Sequence, residues 1–395
     1  IGTRLFLFTS DKHLFREIQS TRGFQSSVPP MANFGLGHAS KADSLVIIWP
    51  DNTSQTIRSL KADTSITIPY NRSLNDTIYN QAEFISRLLK NPATPLFTDN
   101  SDALKPNFKH QEDAYFDFND QWFIPHELST QGPRTSTGDV NKDGLEDFFV
   151  CGAKNQPGAL YLQKKDGSFA PSKDSSAFVE DRAYEDVDAL FFDADKDGDA
   201  DLYVVSGGNI YSGITPLLND RLYLNDGHGK FTRSINLPDM FENKSVVRAA
   251  DIDHDGDLDL FVGGRSVSRN YSKTPASYLL LNDGKGKFNF APGAISDSLQ
   301  HLGMITDAGW IDVDKDGWAD LIVVGDWMPP VLYHNNKGTL TRSALFTDEG
   351  HYTGWWSALK ISDINNDGHE DLLLGNYGLN SKLYATPGFP LKMYN

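Results

Sequence analysis

The hydrophobic pattern of the chain is dominated by short apolar runs, each of which follows an acid-rich loop and ends close to a glycine. A short continuous apolar run bounded by glycine is typical of a strand that is buried on both faces. These runs are Phe148–Val150, Leu202–Val205, Leu260–Val262, Leu321–Val324 and Leu372–Leu374. They recur every 51 to 61 residues, and a period of this size predicts a repeat architecture.

A second pattern within each repeat predicts a β-hairpin. Leu224–Phe231 and Leu280–Phe288 place Asn-Asp-Gly between apolar positions, which favours a tight hairpin turn, and Tyr161–Phe169 and Tyr333–Leu340 are weaker versions. The repeat therefore holds about four strands, which matches one blade of a β-propeller. We predict an all-β fold with at least five blades over residues 109–395. The full protein is expected to have up to seven, because no closing strand follows the fifth repeat.

The first part of the chain lacks this repeat. Arg4–Phe8, Ser44–Trp49 and Thr64–Ile68 have strand composition and are separated by turn-rich segments, so residues 1–70 are predicted to form a small β domain. Apolar positions between Asn75 and Asn91 recur at helical spacing, with a capping residue at Asp76 or Thr77. Residues 71–108 are therefore predicted to be a helical and proline-rich linker to the propeller.

Each of the five acid-rich loops has the same layout. Oxygen-bearing side chains stand at positions 1, 3, 5 and 9, and glycine stands at position 6. Alternate side chains of a tightly curled loop converge, and position 7 is expected to supply a backbone carbonyl, so its side chain varies. The candidate metal ligands are Asp139, Asn141, Asp143, Leu145 and Asp147; Asp193, Asp195, Asp197, Asp199 and Asp201; Asp251, Asp253, Asp255, Asp257 and Asp259; Asp312, Asp314, Asp316, Trp318 and Asp320; and Asp363, Asn365, Asp367, His369 and Asp371.

Converging carboxylates repel one another unless a cation binds between them. Ca²⁺ accepts six to eight oxygen ligands in a flexible geometry, whereas Mg²⁺ prefers a rigid octahedron that retains water. We therefore expect about five Ca²⁺ ions. An EF-hand is excluded because its loop needs a bidentate Glu at position 12, where this chain has Val150, Val204, Val262, Val323 and Leu374.

Composition narrows the set of partners. A net charge of −17 argues against nucleic acid and anionic membranes, and five bound dications would reduce it to −7. The single cysteine, Cys151, excludes an intrachain disulfide and is expected to be a buried, inert thiol. No transmembrane run or signal peptide is visible, so this segment is not expected to insert into a membrane. Because the chain begins at Ile1, the N-terminus is expected to be processed or cropped.

The loop and its following strand resemble the FG-GAP/VCBS repeat of integrin α-subunit propellers and bacterial surface proteins. Residues 1–70 resemble an ASPIC/UnbV domain through Gly23-Phe24, Phe34–Gly37 and Ser44–Asp51. The combination is similar to surface proteins of Bacteroidota, often lipoproteins encoded beside outer-membrane uptake systems. The resemblance implies a calcium-stabilised binding scaffold that is extracellular or on the outer-membrane surface. Its expected partner is a protein or glycan ligand, and a transporter complex is a further candidate. The Asn at position 3 of two loops departs from the pattern.

No nucleophile motif is present, so the expected function is non-catalytic binding. Trp310, Trp318, Trp327, Trp355 and Trp356 form a candidate glycan platform, and an inter-blade core is the competing interpretation. Two alternatives remain. One is a propeller-type polysaccharide lyase or glycosidase, for which basic and phenolic side chains are available without a selecting pattern: Arg248, Arg265, Arg269, Tyr271, His301 and His351. The other is a structural subunit of a larger surface assembly.

Overall fold

The computed structural model of this chain divides into two compact units, which are residues 1–99 with Gly378–Lys382 and residues 100–377 with 383–395. The structure describes residues 1–21, 23, 25–70, 76–78, 99, 108–122, 124–293, 298–346, 352–378, 383, 385–386 and 388–393. None of the helices in these ranges has the length and apolar character that a membrane crossing requires.

The first unit contains one antiparallel sheet of five strands in the order β2-β1-β3-β4-β5. Its strands are β1 (Arg4–Phe8), β2 (His13–Glu17), β3 (Lys41–Ile48), β4 (Thr53–Lys61) and β5 (Asp76–Ile78). One face buries Leu5 and Leu7 of β1 against Leu45 and Ile47 of β3. This alternation of apolar positions on adjacent strands gives the sheet a one-sided core.

The sequence located two of these strands and misplaced a third. Thr64–Ile68 is not a strand; the strand that pairs with β3 is the polar segment β4, with Leu45 opposite Ile57. A polar strand carries little hydrophobic signal, and its pairing with β3 decides its structure instead.

The predicted linker helix begins in the wrong place. Asp76 and Thr77, proposed as its cap, belong to β5, which pairs with Thr53 and Ser54 of β4. The short strand satisfies its backbone groups on the sheet edge rather than in a helical turn. The rest of the predicted helix, residues 79–91, lies outside the described residues.

The second unit is a series of antiparallel blades, each built from consecutive strands, and the last two blades are also joined by strand pairing at Asp326–Trp355 and Met328–Gly354. The first is β6 (Thr135–Gly138), β7 (Asp147–Val150), β8 (Ala159–Gln163) and β9 (Phe169–Pro171), followed by helix α1 (Ser176–Glu180). The second is β10 (Asp186–Phe192), β11 (Asp201–Ser206), β12 (Arg221–Asn225) and β13 (Phe231–Arg233), and the third is β14 (Asn243–Ala250), β15 (Asp259–Ser266), β16 (Tyr278–Asn282) and β17 (Phe288–Phe290). The fourth is β18 (Met304–Ile311), β19 (Asp320–Met328), β20 (Val331–Asn335) and β21 (Leu340–Arg342), and the fifth is described over β22 (Gly354–Ser362) and β23 (Asp371–Asn376).

The sheets stack face to face in chain order, as the blades of a propeller do. The first strands of successive sheets lie beside one another, from β6 through β10, β14 and β18 to β22. The core therefore lies between neighbouring blades. Leu202 and Val204 of β11 pack toward the first blade, whereas Tyr203 and Val205 pack toward the third. A strand covered on both faces has a continuous apolar sequence, which explains the runs that mark the repeat.

Polar groups also connect the innermost strands of adjacent blades. Each of β10, β14, β18 and β22 has a register shift near its start. At two of these bulges, the hydroxyl of Ser245 donates to Ile305 O at 2.7 Å and that of Thr306 donates to Trp356 O. A bulge turns a side chain out of the ladder, and here that side chain bonds to the next blade.

Candidate metal centres

Each acidic loop connects the first and second strands of its blade. The second strands begin at position 9 of the loop in all five blades, at Asp147, Asp201, Asp259, Asp320 and Asp371. Because each loop occupies the same connection, all five lie at the same end of their sheets. The structure thereby places every predicted ligand in an equivalent position of its own blade.

Backbone N–H groups hold the loops in one conformation. The carboxylate at position 1 accepts from the glycine at position 6, for example Gly256 N to Asp251 Oδ2 at 3.1 Å. The carboxylate at position 5 accepts from position 7, as between Asp199 N and Asp197 Oδ1 at 2.8 Å. Glycine at position 6 has φ between +82° and +90° in the five loops, which only glycine adopts freely.

The carboxylate at position 9 anchors each loop to its own sheet. Asp259 accepts from Ile252 N at 3.1 Å with one oxygen and from Asn282 N at 2.9 Å with the other. It is almost fully buried, and burial raises its pKa to about 7. Burial likewise raises the pKa of Asp201 to about 7. Both carboxyls therefore lack a sufficient countercharge from the protein.

In three loops the acids at positions 1, 3 and 5 converge. One carboxylate oxygen from each of the three residues lies within 4.8 Å of the others. The groups are Asp193, Asp195 and Asp197; Asp251, Asp253 and Asp255; and Asp312, Asp314 and Asp316. Clustered hard oxygens on a curled loop form a donor set that can hold a metal ion.

Buried oxygens without partners support this interpretation. Asp193 Oδ1, Asp195 Oδ1 and Asp251 Oδ1 are buried and accept no hydrogen bond from the described part of the protein. A buried acceptor that remains unpaired is costly. These oxygens fit a bound cation, which would satisfy them together and neutralise their charge.

The first and fifth loops differ at position 3. There the side-chain oxygens of Asn141 and Asn365 each accept the N–H of position 5 at 3.0 Å, from Asp143 and Asp367. In the fifth loop, hydrogen bonds from backbone N–H groups lower the pKa of Asp363 and Asp367. These two loops retain the fold of the others with one fewer carboxylate.

In three loops the side chain at position 7 contacts the position-4 residue of the preceding loop. Lys142 pairs with Asp199, and Lys196 Nζ lies 3.6 Å from Asp257 Oδ2. Trp318 stacks on His254, with ring centroids 3.7 Å apart. The role predicted for position 7, including Leu145 and His369, concerned its backbone carbonyl and remains a prediction.

Two sets of residues around the loops were not predicted from the sequence. One set is position 4, occupied by Lys142, Lys196, His254, Lys315 and Asn366. The other is the asparagine that opens the hairpin turn, Asn225, Asn282 and Asn335. The sequence does mark both sets, because Lys recurs at position 4 in three loops and Asn recurs at the start of three hairpin turns.

The predicted tryptophan platform is dispersed in the structure. Trp310 packs with the core between the third and fourth blades, and Trp318 lies in its loop. Trp327 and Trp355 do meet, with ring centroids 5.1 Å apart, and Tyr377 is 5.5 Å from Trp355. Both indoles are partly buried.

The most exposed tryptophan among the described residues is Trp122, at 77%. It follows a short 3-10 helix over Asp117–Asn119. The buried Asp117 fixes this segment because its carboxylate accepts from Leu128 N, Ser129 N and Asn209 Nδ2. Trp122 could not be predicted as exposed, because it belongs to no repeated pattern in the sequence.

Two of the basic and phenolic candidates come together at the other end of the sheets. Arg265 Nη2 donates to Asp326 Oδ2 at 2.7 Å and contacts His126 Nε2 at 3.0 Å. The hydroxyl of Tyr271 lies 3.4 Å from the same Asp326 oxygen. Arg265 and Tyr271 are both buried. Arg248 instead bridges Asp188 and Asp307 on the inner strands, and His351 lies outside the described residues.

Family models match both parts of the chain. The ASPIC and UnbV model matches residues 1–75, and the FG-GAP-like repeat matches residues 139–204, 193–262 and 312–374. The chain is an FG-GAP repeat protein with an ASPIC/UnbV domain. Each matched FG-GAP stretch runs from position 1 of one acidic loop to position 12 of another, so the match rests on the loops and strands described above. No curated protein matches the chain.

Solved structures resemble this FG-GAP repeat protein at low sequence identity. A lectin from Agrocybe aegerita that recognises non-reducing terminal N-acetylglucosamine is 18% identical over 61% of this chain and 56% of its own, with a TM-score of 0.39. A rhamnogalacturonan lyase from Bacillus licheniformis is 16% identical over 61% of this chain and 50% of its own, with a TM-score of 0.32. A putative exo-β-1,3-galactanase from Bifidobacterium bifidum is 15% identical over 53% of this chain and 70% of its own, with a TM-score of 0.30. This chain thus spans little more than half of the lectin.

Proposed function

We propose that this protein is a calcium-stabilised, non-catalytic binding scaffold at a bacterial cell surface. The observation that carries the calcium assignment is the convergence of carboxylates in three loops, together with buried oxygens that accept no hydrogen bond from the described residues. All donors are hard oxygens, which disfavours metals that prefer nitrogen or sulfur, and a set of several carboxylates on one loop favours Ca²⁺ over Mg²⁺, which keeps most of its waters. Sites of this kind suit a compartment where calcium is abundant.

Calcium would act on the scaffold rather than on a ligand. The loops join the first and second strands of every blade, so a cation at each loop fixes the connection on which that blade depends. A ligand that binds only the folded state adds to its stability by mass action. In this interpretation the ions hold the blades in register, and the opposite ends of the sheets are free to vary.

We place the ligand surface at that opposite end. Trp327 lies near the end of β19 and Trp355 near the start of β22, both remote along their strands from the loops. Gln121 Oε1 accepts from Tyr271 N at 3.1 Å, which ties the segment carrying the exposed Trp122 to the same end. An exposed indole offers a stacking surface for a sugar ring or an apolar side chain.

A carbohydrate-active enzyme is the second candidate, favoured by the meeting of Arg265, Tyr271 and His126 around Asp326. A lyase needs a base and a cation of this kind. However, burial raises the pKa of Tyr271 well above its usual value, and Arg265 is already paired with Asp326. The cluster is therefore better suited to stabilising the fold than to removing a substrate proton.

The experiment is a glycan-array screen of the calcium-loaded protein, with Trp122→Ala and Trp355→Ala as variants. Binding that is lost in either variant while the melting temperature is retained would support a glycan scaffold. Formation of unsaturated or shortened products from any bound polysaccharide would contradict the non-catalytic assignment. Protein partners, including an outer-membrane transporter, would be tested by pull-down with the same variants.

A further inference from the structure

Side chains of one blade reach the acidic loop of a neighbouring blade at every described interface. The amides of the three hairpin asparagines show this first. Asn225 Nδ2 donates to Val140 O at 2.8 Å, which is position 2 of the preceding loop, and to Ala200 O of its own loop at 3.1 Å. This amide therefore bonds two successive loops at once, as does that of Asn282, which donates to Ala194 O and Leu258 O.

The same contact recurs in the next two interfaces. Asn282 Nδ2 donates to Ala194 O at 2.8 Å, and Asn335 Nδ2 donates to Ile252 O at 2.9 Å. The hairpin glycines then approach position 3 of the preceding loop. A Cβ at Gly286 would lie 3.5 Å from Asp195 Cβ, and one at Gly338 would lie 3.4 Å from Asp253 Cβ. The hairpin of each blade thus closes against the loop before it.

The residues at position 4 make the reverse connection. Lys142 pairs with Asp199 and Lys196 with Asp257, so position 4 of one loop holds position 7 of the next. His254 stacks on Trp318 in the third interface. In the fourth interface, Lys315 Nζ donates at 3.0 Å to the carbonyl of Gly368, which is position 6 of the fifth loop. We call these four position-4 side chains the latch residues.

The backbone at position 4 is unusual in the same way in all five loops. Its φ lies between +58° and +61° although none of the residues is glycine. A left-handed conformation costs about 1 kcal/mol or more for a non-glycine residue. The surrounding loop must maintain it, so a loop that is fixed by a cation also fixes the direction of its latch residue.

We propose that the latch residues and the hairpin asparagines couple the loops, so that calcium fills neighbouring loops cooperatively. This inference rests on the proposed calcium binding. When one loop is ordered, its latch residue is held against the loop of the next blade. The carbonyl at position 2 of the same ordered loop is held against the hairpin asparagine of that next blade. The second loop then has less freedom to lose when its own cation binds, which is a positive coupling between sites.

The test is native mass spectrometry of the full chain across a calcium titration. At half-saturation, coupled sites give mainly empty and fully loaded molecules, whereas independent sites give a binomial spread of intermediates. We expect depletion of the intermediates and a Hill coefficient above about 1.5. The double variant Lys142→Met, Lys196→Met should restore the intermediates and bring the coefficient close to one.

The matched control is Lys165→Met, which removes the charge of an exposed hairpin lysine and should leave the distribution unchanged. Loss of positive charge alone would tighten calcium binding, so the readout is the distribution of species rather than the affinity. About five ions bound with a binomial distribution in the unaltered chain would overturn the coupling and leave the calcium assignment intact. The absence of bound calcium would overturn both.

Discussion

Buried carboxylates occur at both ends of the blades, and the protein neutralises them differently at each end. Asp326, at the end opposite the loops, is 3% exposed and Asp259, in the third loop, is 1% exposed. Burial acts to raise the pKa of Asp326, but Arg265 and His126 offset it and the net pKa is lowered. Among the described residues no cation pairs with Asp259, and burial raises its pKa to about 7.

Other buried acids away from the loops also pair with a cation of the protein, although burial still raises the pKa of Asp220. Asp186 pairs with Arg221 at 2.6 Å and Asp220 with Lys244 at 3.3 Å, all buried and away from the loops. Where the chain supplies its own cation, the acid has a permanent structural partner. Where the described residues supply none, as around Asp201 and Asp259, the acid implies a cation from solution; at the fourth loop, by contrast, His334 Nδ1 lies 3.5 Å from Asp320 Oδ2.

The largest effect is expected from removing the protein's own cation. Arg265→Met leaves Asp326 buried without its main partner, and loss of one member of a buried pair typically costs about 3–5 kcal/mol. We expect that loss in the free energy of urea unfolding, both with calcium and with chelator. A loss that disappears in either condition would contradict the assignment of Asp326 to a calcium-independent network.

The double variant Arg265→Met, Asp326→Asn is the matched control. Because it removes both charges, it should recover much of the stability that the single variant loses. If the double variant is no more stable than Arg265→Met, the single variant acts through lost packing rather than through an unpaired charge.

A smaller effect that depends on calcium is expected at the loops. Asp251→Asn keeps the shape of position 1 and its acceptor for Gly256 N, but removes a carboxylate from the converging set. The variant should lose about 2–3 kcal/mol at a calcium concentration near a hundred times the dissociation constant. In chelator it should be as stable as the unaltered protein or more so, since less negative charge is gathered there. Equal losses in both buffers would contradict the metal interpretation.

This contrast also shows what the sequence could predict. The loops, the strands after them and the hairpins were located correctly, because each has a local signature that recurs with the repeat. The ion pairs at the other end could not be predicted from the sequence. Arg265 and Asp326, for example, are 61 positions apart, and neither belongs to a repeated sequence motif. The latch residues are intermediate. Their recurrence at position 4 is visible in the sequence, but their partners lie in another blade and cannot be identified from it.

The two ends should also respond to pH in opposite directions. Asp201 and Asp259 have folded pKa values raised to about 7, so without calcium the folded state binds more protons than the unfolded state between about pH 4 and 7. Their contribution to stability should fall as pH rises through that window. The lowered pKa of Asp326 gives a contribution that is present above its unfolded value and lost as pH falls.

Urea unfolding at several pH values, with and without calcium, separates the two contributions. In calcium-free buffer the Asp201→Asn, Asp259→Asn variant should lose much of the decline between pH 5 and 7 that the unaltered chain shows. Calcium should suppress the decline as well, because a bound cation keeps both groups ionised. A pH profile that neither the variant nor calcium changes would contradict this assignment.

The smallest effect is expected from restoring the acid that the first loop lacks. Asn141→Asp adds a carboxylate at position 3 and should tighten calcium binding at that loop roughly three- to tenfold. Without calcium it should destabilise the protein by about 0.5 kcal/mol, through repulsion with Asp139 and Asp143. Calorimetry of the variant and the unaltered chain would show whether the affinity for calcium rises while the stability without calcium falls. A gain of stability in chelator would contradict the repulsion.

The most direct test of the account is thermal unfolding in millimolar calcium and in excess chelator, with the bound calcium counted by mass spectrometry. We predict about five ions per chain and a melting temperature that falls by more than about 10 °C on chelation. A chain that binds no calcium and melts at the same temperature in both buffers would contradict the claim that solvent cations neutralise the loops.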